Sequence, residues 1–366
     1  MVDQDAPRPF NGPEQPAGSS RAIGLFDQED ASPARLSWGK KVVFTLIVLT
    51  LVLGGLEVAC RLLGLGGGEA VAHYVSDWHG TPDGRSFWVV RGQGYNADGM
   101  RDREHEIQKP PGVVRLVCLG DSVTAGHGVK RSQAYPYIFE SFLQQLGLPA
   151  EVFNIAASGW STQQEATAYQ VVARRYRPDH VFLGFCLNDV AEMHNNLTAP
   201  PPAAVSFFVR RSALVRWIID AEGRQVSSVE DLFTKPDSPA VKDGWERVFS
   251  ELGVLKEQTA ADGCDFSVLV FPFRLQLEPD APQPIAQQVL FEFCLRNGIP
   301  CLDLLPALSK VGPSAFIDES HFSQEGARIV AEELVRWGRS GCMMCGYDLS
   351  GVTSDTCPRC GQTIAR

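Results

Sequence analysis

From residue 113 onward the chain alternates between two kinds of apolar patterning. Short, nearly continuous apolar runs occupy 113–119, 151–155, 180–185, 266–271 and 300–305. Between and after them, apolar residues recur three and four positions apart across 133–146, 162–175, 244–261, 284–297 and 324–337. The first pattern predicts strands buried on both faces, the second amphipathic helices. Strand-helix alternation of this kind predicts an α/β fold, a parallel sheet covered on both sides. In such sheets ligands bind beyond the carboxyl ends of the strands. An insert, 190–243, breaks the rhythm with a proline cluster, LTAPPPAAV, and then the basic and apolar FFVRRSALVRWIID. That second stretch predicts either a helix packed on the domain edge or a lid or membrane-surface helix near the site.

A third pattern lies upstream. Fifteen uncharged residues fill 42–56, and 58–65 extends the apolar stretch past Glu57 and Arg61. A helix needs about 20 residues at 1.5 Å each to cross the hydrocarbon, so 40–66 reads as one transmembrane helix. Glu57 and Arg61 stand four apart and can pair along one helix face near the membrane surface. Residues 1–37, rich in Pro, Asp, Gln, Gly and Ser without periodicity, predict a disordered arm. Residues 69–112 read as an irregular lead-in. Arg35, Lys40 and Lys41 precede the helix and only Arg61 closely follows it. The positive-inside rule then places the arm in the cytoplasm and everything after Gly68 outside. A cleaved signal peptide fits less well, because the arm is long and no small-x-small site is obvious. A lipoprotein anchor on Cys60 fails, because Glu57 stands where an aliphatic residue is needed.

Composition narrows the function classes. A net charge of −10 and a pI near 5.3 argue against the extended basic surface that a nucleic-acid partner would need to have its phosphates neutralised. Of ten cysteines, four crowd into the tail. The other six mostly sit in apolar runs and read as small core residues, not a disulfide framework.

Four segments carry candidate chemistry. The first strand runs into Gly120-Asp121-Ser122, the second ends near Ser158-Gly159, the third near Asn188-Asp189, and Asp318 and His321 stand just before the last helix. All four lie at strand ends or helix starts, so one crevice can collect them. No G-x-x-x-x-G-K-[ST] or G-x-G-x-x-G is present, so a nucleotide site lacks its own residues. The residue types are those of acyl transfer. A serine hydroxyl needs a base to take its proton, a histidine titrates in the right range, and a carboxylate orients the imidazole. A backbone N–H at Gly159 and the Asn188 amide can bind a developing oxyanion. Asp189 can equally cap a helix, Glu319 rivals Asp318, and His127 lies close enough to Ser122 to line a pocket.

These blocks resemble the SGNH (GDSL) hydrolases: Ser122 in GDSVTAG, Gly159 in NIAASGWS, Asn188 in LND and His321 in DESHFS, with Asp318 three residues before the histidine. The resemblance covers roughly 113–338. It implies a three-layer α/β/α, flavodoxin-like parallel sheet, ester hydrolysis or acyl transfer, and no cofactor for catalysis. It also implies that Ser122 N–H, Gly159 N–H and the Asn188 side chain share the oxyanion. YNADGMRDRE and LEVACR are similar to membrane-tethered members of the group. The implied substrate is an acyl ester, on an envelope glycan or lipid. An O-acyltransferase would use the same triad, and a membrane-anchored binding protein without chemistry is the alternative from another class.

The tail, 341–366, carries Cys342, Cys345, Cys357 and Cys360 as two C-x-x-C pairs, each followed by a glycine. Four thiolates so spaced suit tetrahedral structural zinc, and the stretch resembles a zinc ribbon, with two disulfides as the alternative. A ribbon of this size can bind a partner protein. Reduced thiolates favour a reducing compartment, whereas the charge flanks place the tail outside. The two signals conflict.

Overall fold

A computed structural model describes residues 37–65, 76–191, 201–223 and 229–342, with positions 353, 354, 356–358 and 361 of the tail. The arm up to residue 36, and Cys345 and Cys360 of the expected ribbon, lie outside the described residues. The chain divides into one unit ending at Gly54 and a second running from Gly55. A 25-residue helix, Trp38–Leu62, supplies the described part of the first and continues into the second. Its most apolar stretch has a mean hydropathy of 2.4, enough by length and composition to cross a membrane. An anchor and a signal sequence both meet that description.

The second unit is built on two sheets. Strands β1 (Asp77–Gly80) and β2 (Ser86–Val89) pair antiparallel. Strands β3 (Val114–Gly120), β4 (Ala150–Ala156), β5 (His180–Cys186), β6 (Asp265–Phe271) and β7 (Cys301–Asp303) form a parallel sheet in the order β4-β3-β5-β6-β7. Relative to the first of these strands, that is the flavodoxin-like order 2-1-3-4-5. Helices cover both faces. On β5, Phe182 meets Trp337 and Phe139, whereas Phe185 stacks on Trp245. Side chains three apart on a strand point to opposite faces, so helices Tyr135–Gln145 and Gln324–Ser340 lie on one side and Pro239–Ala261 on the other. Cys118, Cys186, Cys264, Cys294 and Cys301 are all buried in this core.

Element boundaries shifted where local chemistry overrode periodicity. The helix expected from residue 244 begins at Pro239, because Ser238 accepts a hydrogen bond from Val241 N–H and proline suits a first helical position. The last strand is only three residues long. Asp303 accepts from the Leu305 N–H and turns the chain into a short helix, Leu305–Leu308.

The lead-in is less irregular than its sequence suggests. All of β2 is buried. Arg115, fully buried at the start of β3, donates to the carbonyls of Glu106, Ile107 and Gln108 and to Glu151. A guanidinium has five donors in a rigid fork, and here they fasten the lead-in to the domain.

Candidate active site

The switch point of the sheet lies between β3 and β5, where the chain order reverses. Register sets Gly120 beside both Ala156 and Gly184. The chains leading to Ser122, Gly159 and Asn188 therefore leave the sheet side by side. Gly120 must be glycine, because a Cβ there would stand 2.2 Å from the Thr124 hydroxyl. Beyond it Asp121 accepts from Val123 N–H at 2.9 Å and starts a short helix, Ser122–Ala125, which Gly126 closes at φ 76°. Ser122 is 1% exposed.

His321 arrives from the other end of the chain. Its loop is pinned by a backbone bridge between Phe316 and Phe322, both buried, and by Ile317 N–H donating to the His321 carbonyl at 2.9 Å. Phe322 meets Phe271, the last residue of β6, edge-on at 5.2 Å. Ser323 then caps the final helix through the Gly326 N–H. The result is a continuous chain of polar contacts. His321 Nε2 lies 2.9 Å from Ser122 Oγ, and His321 Nδ1 lies 2.8 Å from Asp318 Oδ2.

Asp318 also accepts from the N–H groups of His321 and Ser320, at 2.9 and 3.0 Å. Burial by itself would raise its carboxyl, but these backbone donors and the His321 ring overcome it and hold it below the usual aspartate value. The carboxylate therefore stays ionised wherever the imidazole can act as a base. Glu319 presents its carbonyl to the Arg274 N–H instead. The His127 ring, on the exposed side, lies 4.5 Å from that of His321.

The oxyanion candidates are held by neighbours that sequence patterns do not show. Asn188, 5% exposed, directs its amide toward Asp121 at 3.5 Å. Asp189 accepts from the Thr162 hydroxyl at 2.6 Å rather than only capping a turn. Gly159 has φ 78°, a left-handed conformation that glycine adopts without strain. Its loop is clamped by two tryptophans. Trp88 of β2 donates to the Ser158 carbonyl at 3.1 Å, and Trp160 donates back to the Trp88 carbonyl at 2.8 Å. Arg101 donates to the carbonyls of Ala125, Gly126 and Val129 and braces the loop after Ser122. Arg101 belongs to the GMRDRE stretch of the lead-in, the one signal in sequence for this bracing. Nothing in sequence marked Trp88.

In the tail, Cys342 and Cys357 are buried, and the Cys342 carbonyl accepts from the Trp337 indole at 2.8 Å. Among the described residues no group of three or more His, Cys, Asp or Glu side chains is placed to hold a metal ion.

The sequence model of the GDSL-like lipase/acylhydrolase family matches residues 118–329. No curated protein matches the chain. Similar solved structures include a putative lipolytic protein of the G-D-S-L family from Desulfitobacterium hafniense DCB-2, at 13% identity over 60% of this chain and 96% of that one, TM-score 0.39. The psychrotrophic esterase EstA from Pseudoalteromonas sp., inhibited by monoethylphosphonate, is 11% identical over 60% and 94%, TM-score 0.38. A catalytic mutant of Axe2, an acetylxylan esterase from Geobacillus stearothermophilus, is 16% identical over 61% and 93%, TM-score 0.40.

Proposed function

The chain belongs to the GDSL-like lipase/acylhydrolase family, and from that premise we propose that it is a membrane-tethered esterase that cleaves an O-acyl ester through an acyl-serine intermediate on Ser122. The observation that carries this reading is the unbroken contact from Ser122 through His321 to Asp318. In the proposed reaction Ser122 Oγ attacks the ester carbonyl while His321 Nε2 takes its proton. Asp318 accepts from Nδ1–H and stabilises the imidazolium. The oxyanion is met by the Ser122 and Gly159 N–H groups and the Asn188 amide. Collapse breaks the bond to the alcohol, which leaves with the proton from His321. Water then attacks the acyl group, again giving its proton to His321, and releases the acid and the free serine. An acceptor alcohol in place of water would make the same intermediate a transferase's. Hydrolases of this family need no catalytic cofactor.

The substrate we assign is a short acyl ester, such as acetyl, on an envelope glycan or lipid. The anchor is the helix Trp38–Leu62, with the arm cytoplasmic and the domain outside. We assign zinc to Cys342, Cys345, Cys357 and Cys360 as a structural ion, from the four-thiolate donor set. It would order the tail and take no part in the reaction.

The test is turnover of p-nitrophenyl acetate and butyrate by the full chain in detergent, beside fluorophosphonate labelling. Release of p-nitrophenol and labelling are both expected, and both should vanish in Ser122→Ala. Labelling that persists in that variant would mean a different nucleophile. A folded wild-type chain with neither turnover nor labelling would sink the esterase reading in favour of a binding protein.

A further inference from the structure

The insert holds two short helices, Ala203–Arg211 and Ala213–Gly223, separated by Ser212. Four of their large apolar side chains face solvent: Phe207 is 49% exposed, Phe208 59%, Trp217 39% and Ile218 44%, whereas Val209 is buried. Arg210, Arg211 and Arg216 are the charged residues between 203 and 219, and the acids of the second helix, Asp220 and Glu222, come only in its last turn. The rest of the chain is acidic enough to bring the total to −10. Exposed aromatic residues interleaved with arginines are what an interfacial helix presents to anionic headgroups. The Arg211 guanidinium lies over the Phe207 ring at 3.9 Å, so charge and apolar surface share one site.

The place of this hairpin is set by the end of the apolar helix. Glu57 is the residue at which the fifteen-residue uncharged run stops. Its carboxylate accepts from the Ser212 hydroxyl at 2.8 Å and from the N–H groups of Ala213 and Leu214 at 2.9 Å each. It thereby caps the second helix in the manner of an N-cap side chain, from 155 or more residues away in sequence. Arg61, paired with Glu57 at 2.7 Å, donates to the Arg211 carbonyl at the end of the first helix. Two charges that would be costly near hydrocarbon are thus consumed in holding the hairpin where the apolar stretch ends.

We propose that this hairpin is a second membrane contact, seated on an anionic lipid surface and locked to the end of the anchoring helix by Glu57. The inference rests on the membrane-tether reading of Trp38–Leu62. A bilayer suits the patch better than a second copy of the chain would, because facing copies would oppose the same three arginines.

The test uses the full chain reconstituted in vesicles of phosphatidylcholine alone or with phosphatidylglycerol, both carrying acyl-brominated lipid. Tryptophan quenching is compared between wild type and Trp217→Phe, and retention after alkaline carbonate is measured in parallel. In anionic vesicles the difference between the two chains should equal one strongly quenched tryptophan, and it should shrink in neutral ones. A Trp217 unquenched in both, in a chain that carbonate does not strip, overturns the lipid contact and leaves the tether standing. A chain stripped by carbonate yet quenched at Trp217 touches lipid there but ends the anchor reading, and with it the proposal of a second contact locked to the anchor. Stripped and unquenched, both fall. The lock is read separately by hydrogen exchange over 212–216. Glu57→Ala should speed it about tenfold, the size of a lost helix cap, and Glu57→Gln, which keeps one acceptor oxygen, by less. Exchange unchanged in Glu57→Ala overturns the lock.

Discussion

Asp318 receives two backbone N–H groups besides the His321 ring, so it orients the loop as well as the imidazole. Asp318→Asn keeps an acceptor for the backbone but presents an amide to Nδ1, which favours the wrong tautomer. On the proposed mechanism kcat for p-nitrophenyl acetate should fall by about 10³–10⁴-fold, with the fold intact by circular dichroism. Asn188→Ala removes one of the proposed oxyanion donors and should cost about 10²–10³-fold in kcat with little change in KM. A loss confined to KM would move Asn188 from the oxyanion to ground-state binding. Ser122, Gly159, Asn188, Asp318 and His321 were each named as candidates from sequence, because the motif blocks carry their residue types. Asp318 and Glu319 were not separable by chemistry alone. The turn decides between them, since its backbone aims Asp318 at the ring and leaves Glu319 with only a carbonyl bond to Arg274.

The β1–β2 pair looked like connecting chain in sequence because its strands are four residues each, too short to show alternation. Yet it supplies Trp88, which trades hydrogen bonds with the Gly159 loop across 70 positions of sequence. Trp88→Phe retains most of the ring and loses the donor to Ser158. Its expected effect is a fall of roughly fivefold to tenfold in kcat, the worth of one hydrogen bond, while fluorophosphonate labelling of Ser122 persists. Unchanged kcat would make the clamp purely structural. On β5, His180 bonds the Ser267 hydroxyl at 2.8 Å and stacks on Phe182. Burial pushes its imidazole down to about 4, against a weaker opposing pull from Asp265. Below about 6.5 the unfolded chain binds a proton there that the folded chain, down to about 4, does not. Stability should therefore fall as pH drops through that window, by up to about 3 kcal/mol. Urea denaturation of His180→Gln beside wild type checks this, and identical pH profiles would refute it.

The whole chain joins an acidic α/β domain, an apolar helix and a cysteine tail. The tail prediction belongs here, because it bears on which compartment the molecule occupies. Protein kept reduced should carry one zinc per chain by elemental analysis, and Cys345→Ser with Cys360→Ser should abolish it without changing kcat. Absence of zinc from reduced wild type would remove the ribbon reading, and with it the conflict between the thiolates and the charge flanks.

Strand and helix patterns depend on residues within a few positions of one another, and a motif carries its residue types wherever the chain goes. For that reason the alternating elements, the apolar helix and the candidate nucleophile, base and acid could be read along the chain. Sheet order, the reversal between β3 and β5, the Trp88 clamp and the grip of Glu57 on residues 212–214 could not. Each pairs groups that lie from tens of residues to more than 150 apart. Such pairs form only when many weak contacts pack cooperatively around them, and no local pattern records which distant partner that packing delivers.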